Sequence, residues 1–139
     1  MAESHIKYRS GYKYQLAEDY RVKVRVIPVQ DIDTDFIGLT TQGMLLVKEG
    51  YAWDGPSGPT WDTKNFMRGS LVHDALYQLM RNRHLSNTRW RAEADNELKR
   101  MCLEDGMSRI RAAWVHRGVR VGGGPAADPA ATKKVLTAP

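Results

Sequence analysis

The residues of this chain with the clearest chemical potential are His73, Asp74 and Tyr77, in the run His73-Asp74-Ala75-Leu76-Tyr77, and Asp95 further on. The run is flanked by apolar residues. Its ionisable groups therefore stand near a buried stripe, where a charge is costly unless it is paired, hydrogen-bonded or bound to a metal. Successive helical positions diverge by about 100°, so His73 and Asp74 serve different neighbours. Asp95 sits one position from Ala94 on the stripe Trp90, Ala94 and Leu98. Two antiparallel helices joined by a short connection over about residues 82–87 bring Asp95 opposite the turn of His73 and Tyr77. An Asp–His pair of that kind fixes the imidazole tautomer and raises its basicity, which suits a histidine that takes a proton from water. Asp74, about a quarter-turn away, is placed to meet the loop ahead of the helix. A hard cation such as calcium would find there the Asp74 carboxylate and the carbonyls of Gly55, Ser57 and Gly58, held by Gly and Pro turns.

These motifs resemble the phospholipase A2 superfamily. The likeness lies in His-Asp-x-x-Tyr at His73 to Tyr77, Ala-Asp-x-x-Leu at Ala94 to Leu98, and the Gly/Pro-rich loop before the first. It is closest to the disulfide-free versions in parvovirus capsid proteins. Bacterial members are similar through Phe66, two helical turns before His73, and their adjacent half-cystine position falls at Ser70. The resemblance implies that His73 is the general base for the attacking water, that Asp95 orients it, and that Tyr77 supports the pair by a hydrogen bond. It also implies that Asp74 binds calcium together with loop carbonyls. It covers roughly residues 50–104, and residues 1–48 have no counterpart in it. The loop departs from the Gly-rich consensus of that superfamily and lies closer to the histidine than in the viral enzymes. Separately, most of the chain resembles a family of short phage and prophage proteins of unknown function. These share the loop Tyr-Ala-Trp-Asp-Gly-x-Ser-Gly-Pro, here Tyr51 to Pro59, and the His-Asp-x-Leu-Tyr helix.

The elements that must hold these residues follow from the apolar period. Residues 12–48 read as an antiparallel β meander, because Val22, Val24 and Val26 alternate with Arg21, Lys23 and Arg25 at the two-residue period of a half-buried strand. Tyr12 and Tyr14 suggest a strand before it, and Phe36 to Leu39 and Met44 to Lys48 two more, joined through Gln42-Gly43. Residues 50–62 form a loop rich in Gly, Pro and Trp. Three helices are expected over residues 63–121: from Thr63, with Asp62 or Thr63 as N-cap, to about Arg81; from about Thr88 to Glu104, stopped by Asp105-Gly106; and from about Ser108 to Val121. Ile110, Trp114 and Val121 lie on one side of the third helix, and Trp90, Met101 and Trp114 read as core. Residues 1–124 thus make a single α+β domain, with a phospholipase A2-like helical hairpin, a third helix and the meander packed together. Residues 125–139, rich in Ala, Pro and Lys, read as a flexible tail.

Composition narrows the alternatives. At 139 residues, one domain is expected, and the single cysteine, Cys102, excludes an intramolecular disulfide framework and a cysteine-rich zinc site. No run approaches the ~18 apolar residues of a membrane span, and the N-terminus lacks an apolar h-region. Synthesis in a host cytoplasm without a signal peptide is expected, with virion association as a further location. The net charge of +5 favours anionic partners. Arg109, Arg111, Arg117 and Arg120 are unaccompanied by stacking aromatics or a groove-reading motif, so they read as a solvated face; nucleic acid is not expected, and the net charge suits an anionic phospholipid membrane better. Trp53 and Trp61 are the expected membrane or partner contacts, since Trp in a loop is favoured at such interfaces. Ser70 lacks a Gly-x-Ser-x-Gly setting, and a His…His-Asp…Asp phosphohydrolase would need His5 from the N-terminal residues. The leading expectation is a phage-encoded, calcium-assisted phospholipase A2-like ester hydrolase. Its competitor is a non-enzymatic virion, tail-associated or host-interaction protein, in which His73, Asp74 and Asp95 form a structural polar network.

Overall fold

The computed structural model describes residue 6, residues 8 and 9, residues 14–53 and residues 64–131. Among the described residues, the first layer holds seven short strands: β1 (Tyr8–Arg9), β2 (Tyr14–Leu16), β3 (Tyr20–Lys23), β4 (Ile32–Asp33), β5 (Ile37–Leu39), β6 (Met44–Val47) and β7 (Ala52–Trp53). The second holds α1 (Lys64–Arg81), α2 (Asn87–Glu104), α3 (Arg109–Gly122) and a short α4 (Gly124–Ala127), followed by a 3-10 turn at Pro129–Ala131. The fold is α+β. All strand pairs are antiparallel, but they divide into two sheets, in the orders β1-β2-β7 and β3-β6-β5-β4.

The expected alternation holds along the first long strand and outlasts it. Val22, Val24 and Val26 are all buried, whereas the ladder with β6 stops at Lys23. Beyond that point the backbone finds other acceptors: Val24 N–H donates to the Gly43 carbonyl at 2.8 Å, and Arg25 N–H to Oε1 of Glu97 on α2 at 2.9 Å. Gly43 makes the β5–β6 turn, as expected from Gln42-Gly43. Its φ is +83°, and a Cβ there would stand 2.5 Å from the Val24 carbonyl oxygen, so only glycine fits.

Each long helix ends where its chemistry dictates. Ser86 and Ser108 cap α2 and α3, their hydroxyls accepting from the N–H groups of Arg89 and Arg111 at 3.2 Å. Gly106, at φ +98°, closes α2: its N–H donates to Leu103 and that of Met107 to Cys102, the paired carbonyl capture of a Schellman motif. The N-cap expected for α1, Asp62 or Thr63, lies outside the described residues.

The core runs through both layers. Leu16, Val22, Leu39, Leu45 and Val47 from the sheets pack in one cluster with Leu71, Val72, Ala75, Leu76, Leu79 and Met80 of α1. A second cluster, Phe66, Leu98, Cys102, Met107, Ala112 and Val115, joins α1 and α2 to α3. Part of the expected tail belongs to this body as well, since Ala127 is fully buried and Arg81 Nη1 donates to the Ala126 carbonyl at 2.8 Å. The apolar residues of α3 correct an expectation. Trp114 is 67 % exposed, and Ile110 and Val121 are more so, because α3 turns the smaller Ala112, Val115 and Val119 inward.

Candidate active site

The α1–α2 hairpin brings together the residues singled out in the sequence. Asp95, wholly buried on α2, accepts at Oδ1 from His73 Nε2 at 2.7 Å and from the Tyr77 hydroxyl at 2.5 Å. The His73 and Tyr77 rings, one helical turn apart on α1, pack with centroids 4.0 Å apart. A carboxylate only accepts, so Nε2 carries the hydrogen in the neutral imidazole and the lone pair falls on Nδ1. Nδ1 faces Asp74, whose Oδ1 is 3.9 Å away, beyond hydrogen-bond reach but close enough to act as a charge. The Asp74 side chain is 39 % exposed, in contrast to its neighbour His73, which is nearly enclosed. The two side chains diverge in exposure, as expected of consecutive helical positions, but not in partner, since the Asp74 carboxylate still bears on Nδ1.

Two arginines complete the network: Arg91, which the sequence reading did not name, and Arg120, which it placed only among the basic residues of the third helix. Arg120 of α3 donates from Nη1 to Asp95 Oδ2 at 2.8 Å, and Arg91 of α2 donates from Nε to the Tyr77 hydroxyl at 3.2 Å. Arg91 also donates from Nη2 to the carbonyls of Val119 and Arg120, both at 2.8 Å, which ties the end of α3 to α2. A single arginine on a helix ordinarily reads as a solvated cation, and only the one-turn spacing of Arg91 from Asp95 hinted at these roles. Gly123 lies against the same network, where a Cβ would stand 2.9 Å from the Tyr77 hydroxyl oxygen.

Burial and charge set the protonation of the group. For His73, burial works against the imidazolium, but the carboxylates of Asp74 and Asp95 more than offset it and hold the pKa above the ordinary 6.5. For Asp95, burial likewise opposes ionisation, and the hydrogen bonds from His73 and Tyr77, with Arg120 beside them, keep its carboxyl below the usual range. Tyr77 is pushed up, by burial first and then by the Asp95 carboxylate, so it stays a hydroxyl donor.

Other expected site residues stand elsewhere. Trp53 is not a membrane or partner contact. It is 3 % exposed in β7, packs on Tyr14, and its Nε1 donates to Ser70 Oγ at 3.1 Å. A two-residue strand draws it inward, where the Gly/Pro composition of the segment suggested a loop. Gly55, Ser57, Gly58 and Trp61 lie outside the described residues. For calcium, Asp74 is thus the one expected ligand among the described residues. No group of three His, Cys, Asp or Glu side chains able to hold a metal forms among those residues. One carboxylate alone does not hold a cation, and the carbonyls expected beside it, those of Gly55, Ser57 and Gly58, lie outside the described residues. Cys102 is buried beside α1 and α3, which pushes its thiol up to about 12, and it behaves as a small apolar residue.

No family model, curated protein or solved structure matches the chain.

Proposed function

We propose that the chain is a phage-borne hydrolase of the phospholipase A2 type, acting on a carboxylic ester of a membrane glycerophospholipid. The observation that carries this reading is the pairing of His73 Nε2 with a buried Asp95 while Nδ1 is left towards the more open Asp74 side. In that tautomer Nδ1 takes the proton of a water as its oxygen attacks the ester carbonyl, and the imidazolium is stabilised through Nε2–H by Asp95. The same proton then passes from Nδ1 to the departing alkoxide, which leaves fatty acid and lysophospholipid. Tyr77 and Arg120 hold the carboxylate in place and touch no reacting atom. Calcium, held by Asp74 and loop carbonyls as in the enzymes the motifs resemble, would polarise the ester carbonyl when bound.

A second reading has its own support. Asp95 is saturated by His73, Tyr77 and Arg120, from α1 and α3, which suits a lock between helices in a virion, tail-associated or host-interaction protein. One variant separates them. Hydrolysis of a fluorescent glycerophospholipid with calcium present is expected from the full chain and is expected to fall by ~100-fold or more in His73→Ala, at a temperature where thermal melts show the variant still folded. Absence of hydrolysis by the native chain, or a variant that loses stability and no activity, would favour the lock.

A further inference from the structure

Among the described residues, the outward face of α3 has no protein partner. Ile110, Trp114 and Val121 are 75 %, 67 % and 79 % exposed and recur at the spacing of one helix face. Opposite them, Ala112, Val115 and Val119 fill the core beside Phe66 and Leu98. Exposed Arg117 falls within the outer stripe and exposed Arg109 at its edge. Between Asp105 and Asp128 the sequence has no acidic residue at all. A Trp at the centre of a short apolar strip, with exposed arginines within and beside it, is the pattern of a helix that lies flat in a headgroup layer.

We infer that the Ile110–Trp114–Val121 face of α3, with Arg109 and Arg117, is the surface by which the chain docks onto an anionic lipid bilayer. The charge pattern selects the occupant. A second copy laid face to face would oppose arginine to arginine with no carboxylate on either helix to relieve it. Nucleic acid would meet the arginines but leave Ile110 and Val121 without a role. A bilayer of anionic lipid meets both, its phosphates taking the guanidinium groups and its acyl boundary the apolar strip. The choice of a bilayer rests on the lipid-ester reading above. The docking face itself is a different part of the molecule from His73.

The test is flotation of the full chain with vesicles of phosphatidylglycerol and phosphatidylcholine, against phosphatidylcholine alone. Binding to the anionic vesicles is expected, weakening with salt, with a blue shift in tryptophan emission. Trp114→Ser is expected to weaken binding by about tenfold or more, and Arg109→Glu with Arg117→Glu to a similar extent, each with the melting temperature unchanged because the side chains lie outside the core. Equal binding by native chain and Trp114→Ser, or none by the native chain, overturns the inference. So does a native dimer in sedimentation that Trp114→Ser converts to monomer. Vesicle binding without hydrolysis would retain the docking face and remove the hydrolase. Hydrolysis of dispersed short-chain lipid without vesicle binding would do the reverse.

Discussion

His73 and Asp95 hold one proton between them, and that proton links rate to stability. Because the pKa of His73 is raised on folding, its contribution to stability is complete below the unfolded value of 6.5 and is lost as pH rises through the folded value. Asp95 is shifted the other way, so its contribution is complete above the ordinary 3.8 and is lost as pH falls through its depressed value. The pair therefore stabilises the fold most between about 3.8 and 6.5. The proposed hydrolysis needs the neutral imidazole, so it should rise with pH along a limb centred above 6.5 while the melting temperature declines along the same limb. A pH-rate profile set beside thermal melts checks the coincidence. In Asp95→Asn the limb should move to lower pH, with the rate down by about 100-fold or more, because the imidazolium loses its counter-charge and the tautomer its fixing partner. Of this group, His73, Asp74, Tyr77 and Asp95 were legible in the sequence, since ionisable residues beside an apolar stripe need partners. Arg91 and Arg120 were not, because what distinguishes them from solvated arginines is distance across two helices.

The helices were legible almost to the residue, because serine caps and a stop at Gly106 are local chemistry. The phase of α3 was not. A basic helix with two apolar stripes can turn either inward, and here the smaller one fits against Phe66, Leu98 and Cys102. The α1–α2 contact shows how narrow that fit is. At Gly69 a Cβ would stand 3.0 Å from Leu98 Cδ1 and 3.2 Å from Cys102 Sγ, so the two helices meet nearly backbone to side chain. Gly69→Val should wedge them apart at a cost of about 1–3 kcal/mol, read by chemical denaturation. It should also weaken the His73–Asp95 bond, which lies one turn further along the same interface. The strands were legible in type but not in pairing. A two-residue element such as β7 carries too little pattern to announce itself, and the burial of Trp53 went unread with it.

At the scale of the whole molecule, the two layers are joined by polar ties as well as by the core. Buried Arg68 of α1 donates from Nε and Nη2 to Asp105, from Nη2 to Glu104 at 2.7 Å, and from Nη1 to the Tyr20 hydroxyl of β3 at 3.1 Å. Glu97, also buried, is paired with Arg100 and accepts from the backbone of Arg25. Trp53 of β7 donates to Ser70 of α1. The sheets thus brace the hairpin through hydrogen bonds as well as through the core. Arg68→Met, which keeps the length of the side chain and removes its donors, should lower stability by about 3 kcal/mol, measured by urea unfolding. None of these ties could be read beforehand, since each joins residues far apart in sequence.

The enclosure of α1 has one more consequence, for the timing of motion. Nearly every residue from Phe66 to Met80 is buried, between sheet on one side and α2 on the other, whereas α3 has a whole face in water. Amide hydrogens of Leu71 to Tyr77 should therefore exchange only when the entire domain opens, and those of α3 through smaller, more frequent openings. Exchange followed by mass spectrometry would resolve the two rates. His73 would then ride on the slowest-opening segment of the chain, and the surface proposed to touch lipid on a faster one. Contact with a bilayer could rearrange that outer helix while the dyad stays in register.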